Sequence, residues 1–203
     1  MDKRVRYAGI ARFYDLLDLP FEYGRYRPLR RELLQGLSGR ILDAGVGTAR
    51  NAPFYPKGAE VVGIDISEAM LARAVKRSRT LGVPVALAAM DALRTGFPDA
   101  CFDAVVATFL FCVLDESHQL PALRELGRVC KRDGEIHILE YTYSSYRLRR
   151  FVMKLWAPWV RFAYGAGFDR NTESYAADAG LVLVSKRWLF RDIIKLLTLK
   201  PRP

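Results

Sequence analysis

The sequence predicts an α/β protein: a parallel sheet with helices on both faces, ending in an antiparallel hairpin. Three observations predict it. Short apolar runs, several ending on an acid, alternate with stretches of helical periodicity from Leu29 to Tyr141. A glycine-spaced turn, Gly45-Val46-Gly47, follows the first of these runs. After Gly180, two β-rich runs succeed one another with no helical pattern between them.

Leu29, Leu33, Leu34 and Leu37 share one helical face that stops at Ser38-Gly39, and the strand Arg40 to Asp43 enters the glycine turn. A second strand spans Glu60 to Ile66. Ser67 is the expected N-cap of a helix running to Leu81. Strands follow at Val83 to Ala88 and Phe102 to Thr108, then a helix at Gln119 to Cys130 and a strand at Glu135 to Tyr141. Continuous apolar runs, rather than alternating ones, mark strands covered on both faces. Leu181 to Phe190 and Asp192 to Leu199 then form the hairpin at the sheet's edge.

With 203 residues, 51% of them hydrophobic and 27% charged, the chain suits one domain spanning residues 1–203, and disorder and solenoid repeats are excluded. Its net charge of +10 is unevenly placed. Residues 32–143 are close to neutral, and the basic excess falls in residues 1–31, 144–170 and 186–203. A positive surface on a neutral core suits a polyanion, either an anionic membrane or nucleic acid. No run of about 18 uncharged apolar residues is present and the N-terminal stretch lacks an apolar leader core, so a cytoplasmic, soluble protein is expected. Cys101, Cys112 and Cys130 lack metal spacing and read as thiols in a reducing compartment; no metal is expected.

Two glycines where a strand hands over to a helix let a ligand approach the backbone and the helix dipole. The spacing alone is a weak signal, because Arg50 stands where a dinucleotide fingerprint has its third glycine. Its companions strengthen it. Asp65 ends the second strand, where a carboxylate can accept both hydroxyls of a ribose. Asp91 ends the third and can take an adenine amino group between apolar walls such as Ile66 and Met90.

With Asp43 to Ala49, Val62-Gly63-Ile64-Asp65-Ile66-Ser67, Asp91 and the run Phe97 to Val106 in place, the chain resembles the class I S-adenosylmethionine-dependent methyltransferases from about Arg40 to Phe190. The resemblance implies a Rossmann-like, seven-stranded, mostly parallel sheet with the hairpin as its last two strands. It implies donor binding by Tyr14, Asp43, Gly45, Gly47, Thr48, Asp65, Ile66, Met70, Met90, Asp91, Ala92 and Thr108. Ala49 departs from the family's third loop glycine, and its Cβ is expected to tighten the loop around the methionine tail.

The acceptor is read from later residues. Glu140, Tyr141 and Tyr143 stand at the end of the fifth strand, and Asp115 and His118 follow the fourth; any of them can aid an amine acceptor. Glu140 is weighed evenly between a salt bridge and an ammonium-binding acid, His118 reads as a surface residue and His137 as a structural one. In residues 144–168, Leu148, Phe151, Val152, Leu155, Trp156, Trp159 and Val160 recur at helical steps among Arg147, Arg149, Arg150, Lys154 and Arg161. That is the composition of a helix lying in a membrane interface, or of a lid. Residues 1–27 mix Phe13, Leu16 and Leu17 with basic groups in the same way.

The segments Ala11 to Asp18, Asp43 to Thr48 and Val62 to Met70 together resemble the Rhodobacter-type bacterial phosphatidylethanolamine N-methyltransferases, and quinone and thiol methyltransferases share much of the pattern. The resemblance implies a phospholipid amine acceptor at an anionic membrane, with Glu140, Tyr141 and Tyr14 at the reacting centre. Arg25, Arg27 and Arg170 are candidates for the lipid phosphate, and Tyr143, Trp156 and Trp159 for lipid contact. A quinone or thiol acceptor is the alternative, and nucleic acid is disfavoured because the basic groups interleave with aromatic ones.

Overall fold

The structure, a computed structural model, describes residues 22–202. Tyr14 and the basic stretch Lys3 to Arg12 lie outside the described residues. Seven strands form one sheet in the order β3-β2-β1-β4-β5-β7-β6. They are β1 (Arg40–Ala44), β2 (Glu60–Asp65), β3 (Ala86–Ala89), β4 (Phe102–Thr108), β5 (Cys130–Tyr141), β6 (Leu181–Phe190) and β7 (Ile194–Pro201). β1 to β5 run parallel, and β7 pairs antiparallel with both β5 and β6. The strand order reverses between β1 and β4, which opens the crevice where ligands bind in such sheets.

Strand alternation sends neighbouring residues to opposite faces. Leu42, Val62, Val105 and Ile138 pack on one side with Ala122, Leu123 and Leu126 of helix α3 (Glu116–Val129). Ile41, Val61, Val106 and Leu139 pack on the other with Leu29, Leu33 and Leu34 of helix α1 (Arg27–Leu34). Each fully buried leucine or isoleucine contributes about 1.5–3 kcal/mol. Both faces are thus covered, as the apolar runs predict.

Helix α2 (Glu68–Leu81) starts at the predicted cap: Ser67 Oγ accepts from Met70 N at 3.4 Å, and Gly82 at φ +63° closes its other end. Several boundaries differ from the sequence reading, three of them by three residues or more. β3 starts at Ala86 rather than Val83, because Pro84 has no N–H for a ladder. Helix α3 starts at Glu116 rather than Gln119, its first turn hidden by Pro121. β5 begins at Cys130, which pairs with Phe102 ahead of a register shift. His137 is structural as expected, its Nδ1 lying 2.7 Å from Leu33 O beneath α1.

Helix α4 (Arg147–Tyr164) lies within the predicted segment and packs little: Met153 is buried, while Leu148, Phe151, Leu155, Trp156, Trp159 and Phe162 are exposed. No helix among the described residues is long and apolar enough to cross a membrane.

Candidate active site

Asp43 stands one residue before the end of β1 and is wholly buried. Its Oδ2 accepts from Asn51 Nδ2 at 2.8 Å and from the Tyr55 hydroxyl at 2.5 Å. Asn51 also donates to Thr108 Oγ1 at 2.9 Å, and its Oδ1 accepts from Arg30 Nη1 at 2.9 Å. Asp43 Oδ1 has no partner. Burial pushes the Asp43 carboxyl up to about 6, against the opposing pull of Tyr55, Asn51 and the Arg30 charge. A buried oxygen left in this way is one that a ligand's N–H would satisfy.

The loop after β1 is shaped for close approach. Gly45 has φ +71°, and a Cβ there would stand 2.9 Å from Leu110 Cδ1. Gly47 has φ +55° and donates its N–H to Asp65 Oδ2 at 2.9 Å, while Ser67 N donates to Asp65 Oδ1 at 2.8 Å. These two amides fasten the loop to the tip of β2 through one carboxylate, whose pKa burial nonetheless raises. Ala49 keeps φ +57°, the left-handed conformation its family glycine would take. Thr48 is buried and accepts from Arg77 Nη1 at 2.6 and 2.8 Å through its carbonyl and hydroxyl oxygens.

Beside Asp65 opens a cleft of about 620 Å³ lined by Ile66, Ser67, Met90 and Asp91 among others. Ile66 and Met90 thus supply the apolar walls, and Asp91 an exposed acid whose Oδ1 accepts from Leu93 N at 2.9 Å. Met70 and Ala92 are buried and back this region rather than line it. A larger hollow of about 880 Å³, lined by Val61, Ser78 and Leu87, contains none of the predicted site residues.

The acceptor side differs from the sequence reading at Glu140. This residue is fully buried, with Lys195 Nζ 3.0 Å from Oε1 and Thr172 Oγ1 donating to Oε2 at 2.5 Å. Lys195 in turn donates to Glu173. Glu140 therefore belongs to an interior ion pair between β5 and β7 and is not open to an ammonium. Burial raises its pKa against the Lys195 charge.

Tyr141, the next residue, faces the other way and joins a group of rings that sequence reasoning missed. Phe109 stacks on Tyr141 with centroids 4.8 Å apart, Phe168 meets Tyr141 edge-on at 5.6 Å, and the Tyr26 hydroxyl bonds that of Tyr141. Tyr143 meets Phe168 at 5.7 Å. Phe109 holds φ +57°, an unfavourable conformation for a bulky residue, at the tip of β4 beside Leu110 and the glycine loop. Cys112 lies in this region too, buried, its Sγ accepting from Tyr141 N at 3.2 Å and its thiol pushed up to about 12 by burial.

The remaining candidates are dispersed. Arg25 lies over Phe190 and Arg27 over Phe54, on different rings. Arg170 follows Phe168 closely in the chain, pairs with Asp169 at 3.0 Å and keeps a buried Nε without a partner. Trp156 and Trp159 form an exposed edge-to-face pair at 5.9 Å on α4. His118 is near Asp115, at 3.8 Å, away from the ring cluster's contacts. Among the described residues no group of His, Cys, Asp or Glu could hold a metal.

The glycine loop, the strand-tip acids Asp65 and Asp91 and the cleft thus lie together at the switch point of an open α/β sheet, where such sheets bind ligands. A family model described as a methyltransferase domain matches residues 41–134. The chain is 39% identical over 127 residues to a phosphatidylethanolamine N-methyltransferase of Cereibacter sphaeroides, covering 62% of that protein, under two thirds of its length. It is 33% identical over 187 residues to a demethylmenaquinone methyltransferase of Thermobifida fusca, which it covers to 76%. A ubiquinone/menaquinone C-methyltransferase of Citrifermentans bemidjiense is 33% identical and covered to 82%.

In fold it is similar to a geranyl diphosphate C-methyltransferase from Streptomyces coelicolor solved with S-adenosyl-L-homocysteine, at TM-score 0.70, 16% identity and coverage of 87% and 76% of the two chains. A methyltransferase from Aquifex aeolicus gives TM-score 0.64 at 19% identity, with coverage of 88% and 90%. The chain belongs to the class I S-adenosylmethionine-dependent methyltransferases.

Proposed function

We propose that this methyltransferase acts on the headgroup amine of phosphatidylethanolamine and its mono- and dimethyl derivatives, at a membrane surface and towards phosphatidylcholine. The observation that carries the reading is the ring cluster of Phe109, Tyr141 and Phe168 at the tips of β4 and β5. Aromatic faces attract an alkylammonium, which is what an amine becomes as it takes up a methyl group. The exposed apolar stripe of α4, with Arg147, Arg150 and Lys154 beside it, suits a lipid-borne acceptor. The 39% identity to a phosphatidylethanolamine N-methyltransferase supports the same choice.

S-adenosylmethionine supplies an electrophilic methyl on a sulfonium. Asp43 and the Gly45–Gly47 loop would hold its methionine part, Asp65 its ribose, and Ile66, Met90 and Asp91 its adenine. The rest of the catalysis is placement and exclusion of water, in-line attack needing little acid–base help. Tyr141, through its hydroxyl pair with Tyr26, can accept a hydrogen bond from the arriving amine and orient its lone pair.

A quinone is the second reading, favoured by the demethylmenaquinone methyltransferases that align over more of this chain. Radiolabelled methyl transfer to phosphatidylethanolamine vesicles, resolved by thin-layer chromatography beside demethylmenaquinone, separates the two. Label in phospholipid supports the first reading; label in quinone alone rejects it.

A further inference from the structure

Two guanidinium groups converge on one ring at the carboxyl end of β5. Arg25 has its Cζ 4.3 Å from the Phe190 centroid, and Arg191 has its Cζ 5.5 Å from the same centroid. Phe190 and Arg191 begin the turn between β6 and β7, and Thr142 N donates to Ile193 O at 2.8 Å, tying that turn to the chain just past β5. Both arginines are exposed, and neither has a carboxylate partner among the described residues.

Among the described residues each guanidinium rests on the Phe190 ring and not on a carboxylate, so two uncompensated positive charges border one ring and suit a site that meets an anion. The backbone makes the same point. Arg191 holds φ +49°, a turn position that Gly or Asn fills at lower cost, so the turn itself does not call for arginine. Its exposed charge is what the residue brings.

Asp192 joins this turn to α4. Its Oδ2 accepts from Ser144 Oγ at 2.7 Å and Ser145 N at 2.7 Å, and its Oδ1 pairs with Arg149 in the first turn of the helix. Turn and helix are thereby one unit. Arg147, Arg150 and Lys154 on that helix also lack carboxylate partners among the described residues, while Phe151 and Leu155 are 65% and 71% exposed.

We propose that Arg25 and Arg191 form a second contact with an anionic phospholipid surface, so that α4 and the β6–β7 turn dock together and the strand tips face the lipid. The proposal rests on the membrane-borne acceptor argued above. A helix lying alone on a bilayer can roll about its axis; a second contact beside its N-terminus fixes the roll and with it the direction of the cleft. Guanidinium forks suit the phosphate oxygens of headgroups.

The test is sedimentation of the whole chain with phosphatidylcholine vesicles, with and without phosphatidylglycerol, and with no phosphatidylethanolamine. A basic residue at an anionic surface changes partitioning about fivefold, so Arg25→Gln and Arg191→Gln are each expected to lower binding by about that factor and together by about 25-fold. Arg191→Lys is expected to retain most of it, and the melting temperature of Arg191→Gln verifies folding. Unchanged sedimentation of the double variant overturns the proposal, as does an equal loss on neutral vesicles or wild-type protein drawn off the vesicles by competing RNA. Since these vesicles carry no acceptor, expected binding without transfer to phosphatidylethanolamine refutes only the acceptor, and transfer with unaltered binding in the variants refutes only the contact.

Discussion

Glu140 and Lys195 face each other across the antiparallel β5–β7 pair, their charged atoms 3.0 Å apart and both side chains closed to solvent. A charge held in this way is a structural commitment, because removing one partner strands the other in a low dielectric. Lys195→Met is expected to cost about 3–5 kcal/mol of stability, and the double variant with Glu140→Gln to recover part of that loss. Urea unfolding measures it. Calorimetric affinity for S-adenosylmethionine should be the same in the folded double variant as in wild type, whereas a Glu140 at the reacting centre would lose turnover with stability intact.

Donor affinity should depend on pH through Asp43. Its carboxyl titrates at about 6, above its ordinary range, so the charge a donor ammonium needs fades as pH falls through that value. Calorimetry is expected to show affinity weakening about tenfold for each unit below pH 6. The sign for folding is opposite: a raised carboxyl stabilises the native state most below pH 4, and that contribution is lost as pH rises through 6. Asp43→Asn should flatten the binding profile.

Ala49 sits in left-handed backbone with its side chain fully buried. Replacing it by glycine removes a penalty of about 1–2 kcal/mol and restores about 1 kcal/mol of chain entropy to the unfolded state. A net change within about 1 kcal/mol is expected in urea unfolding, with donor affinity weakened as the loop loosens; a large loss of stability would mean that the methyl group packs as a core element of the loop.

The ring cluster should govern the acceptor and not the donor. Phe109→Leu removes the stacked partner of Tyr141 and is expected to raise the acceptor KM about two- to fivefold, the worth of one exposed cation–π contact. Steady-state kinetics against each methylated form of the lipid reads this directly, with donor affinity by calorimetry as the internal reference.

The sheet, its edge hairpin and the proposed donor half of the site were legible because they depend on local signals. Apolar runs ending on Asp43 and Asp65, a capping serine at 67 and two glycines each leave a mark within a few residues. The proposed acceptor half is assembled from positions far apart in the chain. Tyr26, Phe109, Tyr141 and Phe168 have no common spacing, so nothing in the linear pattern joins them. Glu140 was open to two readings because its partner, Lys195, lies on a strand whose pairing with β5 is a tertiary fact. Arg30 had a detectable signal, since it shares the buried stripe of Leu33 and Leu34, yet a lone arginine on an apolar face is easily counted as surface charge.

Cys112 places sulfur at the carboxyl end of the sheet, near the proposed seat of an alkylating donor. With its thiol at about 12, the nucleophilic anion amounts to roughly one part in 100,000 at neutral pH. The Tyr141 amide further engages that sulfur from the backbone. The protein thus carries a soft atom beside its proposed reaction chamber without becoming its own victim, and inactivation by self-alkylation should be negligible over many turnovers.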